Sequence, residues 1–386
     1  MSQDRPAETG QEVTFQITVP KDTPTNTEVW ISGNVSTLGS WNGRGLEAQK
    51  VADRTYTVGC RFPIGAHLEF KVTRGGWETV EKGSSGEELA NRTHEVTMSE
   101  TLAIEVATWR DQVEGKPLDH SLTGTFKLHE HVPSQHLTHD RNVIVYLPPS
   151  YLDEADRRFP VLYMHDGQNI FDRATSFIGL EWEVDENAER LIESGDIEPL
   201  IVVGVHNSPD RVGEYTQEPD PSRGGGGADD YGRFLVEELK PFIDSEYRTL
   251  PDRENTGIAG SSLGGLVSIY FAFSLEGTFS RIGVVSPAVF WADDHIVQLV
   301  SDSEKVDSRI WLDVGTREGS TPGEQIRWVE SARRLRDALV AKGWEPGKDL
   351  EYFEDEGAVH NEAAWAGRVE RILKFLYPAK PGTPGR

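Results

Sequence analysis

The 386-residue chain has a single cysteine, Cys60, and only three methionines. One thiol excludes an internal disulfide framework and any metal site built from several cysteines. The sequence also lacks a run of about 18 consecutive apolar residues, so no membrane-spanning helix is predicted. The N-terminal segment lacks the basic and apolar regions of a signal peptide. We therefore expect a chain made without an export signal or one from which it has been removed, which leaves secreted, periplasmic and cytoplasmic locations open.

Lysine is scarce as well, with 12 lysines and 27 arginines against 64 acidic residues and a net charge of −25. This charge argues against nucleic acid as a partner, because phosphate binding requires a basic surface. It argues equally against binding to an anionic membrane. Two interpretations of the acidic coat stay open, namely ordinary solubility and adaptation to high salt, where screening removes self-repulsion. The shortage of lysine slightly favours high salt.

The length and a change of pattern along the chain predict two domains. Short alternating runs separated by turns, such as Val13–Val19, fill residues 11–108 and predict an all-β sandwich. Residues 109–121 are rich in charge and form the predicted linker. From 122 to 378, apolar strands alternate with amphipathic helices, which predicts an α/β domain whose mainly parallel sheet is covered on both faces. Residues 379–386 are a predicted disordered tail.

The elements predicted in the second domain follow from these apolar runs and helical periods. The predicted strands are Asn142–Leu147, Pro160–Met164, Leu200–Val205, Thr256–Ala259, Arg281–Val285 and Ile310–Val314. The predicted helices are Asp230–Ser245, Leu266–Ser274, Glu324–Lys342 and Asn361–Leu376.

The most informative segment, TGIAGSSLGGLVSIY, contains the pattern G-x-S-x-G between a predicted strand and a predicted helix. A nucleophilic serine on such a sharp turn requires neighbours without side chains two positions away, which Gly260 and Gly264 supply. Ser262 is therefore the predicted nucleophile, whereas Ser261 is out of register with the glycines. The alternative is a Gly/Ser-rich helix start without chemistry.

A serine hydroxyl needs a histidine base that is oriented by a carboxylate. In this fold class the acid and the histidine follow the serine along the chain, which leaves two histidines. His295 lies in an apparent helix, whereas His360 follows a strand-like segment and a glycine, so His360 is the predicted base. Three alternatives for the acid stay open. Glu318 is favoured because it lies in the turn after a strand, Asp313 lies inside that strand, and a Ser–His dyad needs neither.

An oxyanion hole requires two backbone N–H donors. One is the N–H of Leu263, which follows the nucleophile, and the other is expected in the turn after an earlier strand. The segment from His165 to Gln168 is such a turn, and Gln168 N–H is the predicted second donor. His165 and Asp166 precede the serine and are interpreted as structural residues. No residues show metal-ligand spacing, so neither a metal nor a cofactor is predicted.

Several motifs of the second domain occur together and in order, namely HDGQNIFD, VGVHNSPDRVGEY, ELKPFIDSEYRT, GSSLGG, LDVGTREG and GAVHNEAAW. Over roughly residues 123–377 they resemble an esterase family of α/β-hydrolases that includes feruloyl, acetylxylan, siderophore trilactone and esterase D-like enzymes. The resemblance implies an α/β-hydrolase fold and the roles assigned above to the serine, histidine, acid and oxyanion donors. It also implies substrate contact, with a structural role as the alternative, for Arg211, Glu214, Tyr215 and Trp291.

The first domain carries the short elements LG-x-W, FK, WE and NR in order. They resemble a starch-binding module of carbohydrate-binding family 20, in which two tryptophans and a lysine form a flat sugar platform. Trp41, Lys71 and Trp77 fall on those positions, and aromatic faces can stack on glucose rings. The alternative is a sandwich whose tryptophans only pack the interior.

Together these features predict a serine carboxylic ester hydrolase acting on carbohydrate-linked esters of the feruloyl or acetyl type. Two alternatives stay open: a siderophore trilactone esterase and a non-catalytic carbohydrate-binding protein. The expected partners are a small-molecule or glycan ester substrate and a glucan on the first domain. The sequence gives no indication of the oligomeric state.

Overall fold

The protein is represented by a computed structural model that describes residues 10–379, apart from residues 85, 87–88, 90, 114–119, 177–178, 222 and 320. The chain divides into two compact units. The first comprises residues 1–116 with 222–224, and the second comprises 117–221 with 225–386. Each unit has its own hydrophobic core. Most of the predicted tail lies outside the described residues.

The first unit is all β, which confirms the predicted class. Its strands are Gln11–Thr18 (β1), Val29–Gly33 (β2), Leu46–Ala52 (β3), Thr55–Phe62 (β4), His67–Thr73 (β5), Glu81–Lys82 (β6), Arg92–Glu95 (β7), Glu100–Glu105 (β8) and Thr108–Trp109 (β9). Seven strands form a sheet in the order β7-β5-β2-β3-β4-β1-β8, and β6 pairs with β9. Alternate residues of β1, namely Val13, Phe15 and Ile17, are buried in the core. Trp109 is buried there too, so the sandwich extends beyond the predicted boundary at residue 108.

The second unit contains the predicted, mainly parallel sheet. Its strands are Thr125–Val132 (β10), Arg141–Leu147 (β11), Val161–His165 (β12), Ile201–Val205 (β13), Thr256–Ser261 (β14), Arg281–Val285 (β15), Arg309–Gly315 (β16) and Leu350–Asp355 (β17). Their order is β10-β11-β13-β12-β14-β15-β16-β17. β10 and β11 are antiparallel to their neighbours. The six strands that follow in the sheet, β13, β12, β14, β15, β16 and β17, pair in parallel. The carboxyl ends of the parallel strands therefore meet at one edge, where active sites of open α/β sheets lie.

Helices cover both faces of this sheet. They are Val184–Ser194 (α1), Arg211–Glu214 (α2), Ala228–Arg233 (α3), Lys240–Glu246 (α4), Leu263–Ser274 (α5), His295–Asp302 (α6), Pro322–Ala341 (α7) and Glu362–Leu376 (α8), with a π-helical segment, Phe234–Leu239, between α3 and α4. Apolar residues of α3 to α7 pack in the core on one face, and those of α1 and α8 pack on the other. Within the described ranges, no helix is both long and apolar enough to cross a membrane.

Candidate active site

Ser262 lies in the sharp turn between β14 and α5, with φ 58° and ψ −120°. A positive φ is uncommon for a residue other than glycine and marks a strained turn. The Ser262 N–H donates to Val285 O at 3.0 Å, which ties the turn to β15. A Cβ atom at Gly260 would lie 2.9 Å from His165 Cδ2, and one at Gly264 would lie 3.3 Å from His165 Cβ. Close packing against His165 therefore requires glycine at position 260, and a side chain at position 264 would force a small shift of His165.

His360 lies in the turn between β17 and α8, and its Nδ1 is 2.9 Å from Glu318 Oε2. The imidazole packs between Trp328 and Trp365, with ring centroids 4.5 and 5.0 Å away. The side chain of His360 stays 25% exposed. Because Nδ1 faces the carboxylate, Nε2 is the nitrogen left to accept a proton. The other candidate, His295, begins α6, and its Nε2 lies 3.8 Å from Glu218.

Glu318 is fully buried in the turn after β16. Its Oε1 accepts hydrogen bonds from Gly315 N–H at 2.7 Å and from the Ser286 hydroxyl. Burial alone would raise the pKa of Glu318. The charge of His360 and the hydrogen bonds from His360, Ser286 and Gly315 outweigh this effect and hold the pKa below its ordinary value. The carboxylate therefore stays ionised at neutral pH.

Asp313, the alternative acid, is also fully buried but has different partners. Its oxygens accept from Trp311 Nε1 at 2.6 Å, from Ser286 N–H at 3.0 Å and from Arg368 at 2.5 Å. Burial raises the pKa of Asp313 to about 6, although Arg368 lowers it. Of the two carboxyl groups, the structure therefore brings Glu318 to the imidazole.

Arg368 connects the acidic residues beneath the site. Its guanidinium contacts Asp313 and lies 3.7 Å from Glu318 Oε1 and 3.5 Å from Asp355 Oδ2. The side chain is only 1% exposed. A buried arginine of this kind balances buried carboxylates, and removing one partner leaves an uncompensated charge.

The turn after β12 carries Gln168, the predicted second oxyanion donor. A Cβ atom at Gly167 would lie 2.4 Å from the carbonyl carbon of Gly204, so the turn requires glycine. Gln168 Oε1 accepts from Asn207 N–H at 3.2 Å, which orients this segment. Leu263 begins α5, where N–H groups have no acceptor within the helix. Because β12 and β14 are neighbouring parallel strands, both turns lie at the same edge of the sheet.

His165 and Asp166 hold the framework of this turn. Asp166 accepts two hydrogen bonds from Arg211, at 2.7 and 2.8 Å, and one from Asn207 Nδ2 at 2.6 Å. Burial would raise the pKa of Asp166, but Arg211 and Asn207 together hold it below its ordinary value. His165 Nδ1 lies 2.9 Å from the Tyr231 hydroxyl. These contacts match the structural interpretation of both residues.

Three of the four residues expected to contact substrate are buried inside the second unit. Glu214 forms a buried ion pair with Arg141, Tyr215 is fully buried, and Trp291 is 4% exposed with its indole N–H donating to a backbone carbonyl. Substrate contact by Glu214, Tyr215 and Trp291 therefore stays a prediction, and the contacts of these three side chains match the structural role that was its alternative. Arg211, 28% exposed, is the member of the set with open surface.

The sequence reasoning missed Ser286 and Trp365. Ser286 follows β15 directly with φ 42°, donates to Glu318 and accepts from Trp365 Nε1 at 3.1 Å. Its position after a central parallel strand was the available signal. Glu362, also missed, begins α8 and is buried, and burial raises the pKa of Glu362 to about 7.

In the first unit, Trp41 and Trp77 are half-buried and lie together, with ring centroids 6.1 Å apart and an interplanar angle of 35°. Trp77 Nε1 donates to Trp41 O at 3.0 Å. Lys71, predicted as the third member of the platform, is 5% exposed and donates to Leu89 O at 2.6 Å. The place of Lys71 in a sugar platform therefore stays a prediction, and its ammonium group has a partner inside the fold.

Comparison with known proteins supports these assignments of fold for each unit. Residues 10–104 match the family model described as "Starch binding domain". The same region is 35% identical over 103 residues to an α-amylase of Niallia circulans, which covers 26% of this chain and 8% of that protein. The enterobactin esterase of Shigella flexneri, solved with enterobactin, has a similar fold with a TM-score of 0.53. It is 16% identical, covering 95% of this chain and 92% of that chain.

Residues 134–376 match the family model described as "Putative esterase". The ferri-bacillibactin esterase of Bacillus subtilis is 26% identical over 250 residues, covering 58% of this chain and 81% of that protein. An endo-1,4-β-xylanase/feruloyl esterase of Xylanibacter ruminicola is 25% identical over 245 residues, covering 60% of this chain and 29% of that protein. Since the esterase model spans more than half of the chain, the protein belongs to this esterase family and is a carboxylic ester hydrolase.

Proposed function

We propose that the protein hydrolyses carboxylic esters by two-step acyl transfer through Ser262, His360 and Glu318. The observation that carries this proposal is the 2.9 Å contact between His360 Nδ1 and Glu318 Oε2. Ser262 follows β14, Glu318 follows β16 and His360 follows β17. Because these strands are parallel, the three residues lie at the same edge of the sheet.

In the first step, Ser262 Oγ attacks the ester carbonyl while His360 takes its proton. The ionised Glu318 stabilises the imidazolium that forms, and the N–H groups of Leu263 and Gln168 stabilise the oxyanion. His360 then protonates the leaving alcohol. In the second step, His360 activates a water molecule that releases the acid and restores the serine.

The proposed substrates are esters attached to carbohydrate, of the feruloyl or acetyl type. The match of the first unit to a starch-binding domain and the likeness to a xylanase/feruloyl esterase support this class. A trilactone siderophore is the second candidate, because the ferri-bacillibactin esterase aligns over a larger share of its own length. The paired rings of Trp41 and Trp77 support a glucan-binding role for the first unit.

Hydrolysis of four substrates, measured side by side, tests the proposal: a p-nitrophenyl acyl ester, methyl ferulate, acetylated xylan and a trilactone siderophore. Ser262→Ala should lower kcat by about 10⁴-fold or more, because the nucleophile is lost. Ser261→Ala is the matched control and should stay within about tenfold of the native enzyme. Retained activity in Ser262→Ala would refute the mechanism, and preferred turnover of the siderophore would establish the second candidate.

Affinity electrophoresis in a soluble glucan tests the first unit. Trp77→Ala should abolish retardation, because one face of the aromatic pair is lost. Its activity on the p-nitrophenyl ester should match that of the native enzyme. Native protein that migrates freely through the glucan would show that the first unit does not bind it.

A further inference from the structure

Glu362 is a buried acidic residue beside the turn that carries the proposed base. This turn, residues 356–361, connects β17 to α8 and is called here the His360 turn. Glu362 is the first residue of α8 and is 6% exposed. Asn361 caps the helix, because its Oδ1 accepts a hydrogen bond from Ala364 N–H at 3.0 Å. The Glu362 side chain thus lies inside the second unit, although glutamate is rarely buried.

The carboxyl group of Glu362 faces a second turn at the same edge of the sheet. That turn, residues 166–169, follows β12 and is called here the Gln168 turn. Asn169 is buried in it, and its Nδ2 donates to Glu362 Oε1 at 3.5 Å. The backbone of Asn169 is itself fixed, since its N–H donates to Asp166 O at 2.8 Å. The side-chain contact therefore joins two turns that are 193 positions apart in the sequence.

Charged residues of both turns surround this carboxyl group. Burial is the largest influence and raises the pKa of Glu362 to about 7. The charge of Asp166 also raises this pKa, whereas His360, Arg211 and the hydrogen bond from the Glu362 backbone N–H lower it. Both protonation states are therefore populated near neutral pH. In either state a carboxyl oxygen can accept a hydrogen bond from Asn169.

Burying the carboxyl group of Glu362 costs free energy that an apolar side chain would not cost. The N-terminus of α8 attracts a negative charge, but a glutamate at the surface would gain from this attraction as well. The buried position adds a directed contact to Asn169, the residue that follows Gln168. An oxyanion donor such as Gln168 N–H must be held within about 0.5 Å of its productive place. The contact thus lies where a small shift between the two turns would affect the reaction.

We propose that Glu362 is a positioning residue of ester hydrolysis, which holds the Gln168 turn against the His360 turn through Asn169. This inference rests on the proposed function, because Gln168 and His360 act there on the same reacting ester. In this role Glu362 neither contacts the ester nor exchanges a proton with it. Without its side chain the two turns can move apart. That movement weakens stabilisation of the oxyanion in the transition state more than binding of the substrate in the ground state.

Steady-state hydrolysis of a p-nitrophenyl acyl ester by variants of the full chain tests this role. Glu362→Ala should lower kcat about tenfold and leave KM within about twofold, because a contact that aligns the transition state is lost. Glu362→Gln should keep kcat within about threefold of the native value, since its amide oxygen can still accept from Asn169. Glu356→Ala removes an exposed carboxyl group of the His360 turn and is the matched control, with native kcat expected.

A double-mutant cycle with Asn169→Ala shows whether the effect of Glu362 passes through their contact. In the Asn169→Ala background, Glu362→Ala should lower kcat by less than about a further twofold. Losses that multiply would show that Glu362 acts elsewhere in the fold and would overturn the proposal. A kcat of Glu362→Ala within about twofold of the native value would overturn it as well. So would a Glu362→Gln variant that is as slow as Glu362→Ala.

The pH profile of kcat/KM is a second readout, which decides the case if Glu362→Ala does not fold. Ionised Glu362 stabilises the protonated form of His360, while Asp166 and Arg211 face the same carboxyl group and keep their charges in Glu362→Gln. The acid limb should therefore move to lower pH by at least about 0.3 unit in Glu362→Gln. An acid limb identical to that of the native enzyme would overturn the proposal. Activity retained in Ser262→Ala would instead refute the reaction itself, so the two failures are distinguishable.

Discussion

Two buried carboxyl groups near the end of β16 meet different partners. Both oxygens of Glu318 meet hydrogen-bond donors, from His360 on one side and from Ser286 and Gly315 on the other. Asp313 instead meets the guanidinium of Arg368, and burial raises the pKa of Asp313 to about 6, whereas the pKa of Glu318 is held below its ordinary value. Burial alone therefore does not determine the state of an acidic side chain.

The difference indicates what each carboxyl group is suited to do. Glu318 is held ionised by fixed donors, so it can stabilise a positive charge that appears on His360 during reaction. Asp313 contacts Arg368 and is suited to balance the buried charge of this arginine. Buried carboxyl groups of one sheet edge thus support proton transfer in one place and the packing of the fold in the other.

The largest expected effect separates Glu318 from its neighbour Asp313. Glu318→Gln should lower kcat by about 10³- to 10⁴-fold, because the amide cannot stabilise the imidazolium. Asp313→Asn should leave kcat within about tenfold but lower the free energy of unfolding by about 3–5 kcal/mol, because Arg368 loses its buried partner. Steady-state kinetics and chemical denaturation of both variants measure the contrast.

The pH dependence of unfolding sharpens this contrast. The pKa of Glu318 is lower in the folded state, so its contribution to stability is present above the unfolded pKa of about 4.3. This stabilising contribution is lost as the pH falls through the pKa that Glu318 has in the folded protein. The stability difference between native protein and Glu318→Gln should therefore shrink at low pH. If Asp313→Asn showed the large loss of kcat and Glu318→Gln kept kcat within about tenfold, the acid of the triad would be Asp313.

A smaller effect is expected at Ser286, which positions Glu318. Ser286→Ala should lower kcat about tenfold and leave KM unchanged, because a hydrogen bond to a buried charge is lost. Losing this donor raises the pKa of Glu318, so the acid limb of the kcat/KM profile should move to higher pH. Ser308→Ala, another buried serine, is the control. An unchanged pH profile in Ser286→Ala would contradict the positioning role.

The apolar patterns predicted the centre of the fold well. The strand predicted at Arg281–Val285 has those bounds in the structure, because a continuous apolar run is buried on both faces. The edge strand Thr125–Val132 was missed, since its sequence TFKLHEHV is polar and no residue of it is fully buried. Helix α1 was missed although Val184, Ala188 and Leu191 recur at helical spacing and are buried, because many charged residues lie between them.

The site was predicted to the extent that local sequence defines it. The glycines around Ser262 and the turn positions of His360 and Glu318 are visible along the chain. Ser286 was not recognised, because a serine before proline is common in turns and its contact with Glu318 exists only in the folded chain. Substrate contact by Arg211, Glu214, Tyr215 and Trp291 stays a prediction. The oxyanion donors and the sugar platform of the first unit also stay predictions.

The central claim is that Ser262 is the nucleophile activated by His360. The most direct measurement is peptide mass spectrometry after reaction with a fluorophosphonate, which labels activated serines covalently. We predict one adduct, on Ser262, that forms in Ser261→Ala and is lost in both Ser262→Ala and His360→Ala. An adduct on Ser261, or full hydrolytic activity in protein labelled at Ser262, would contradict the account.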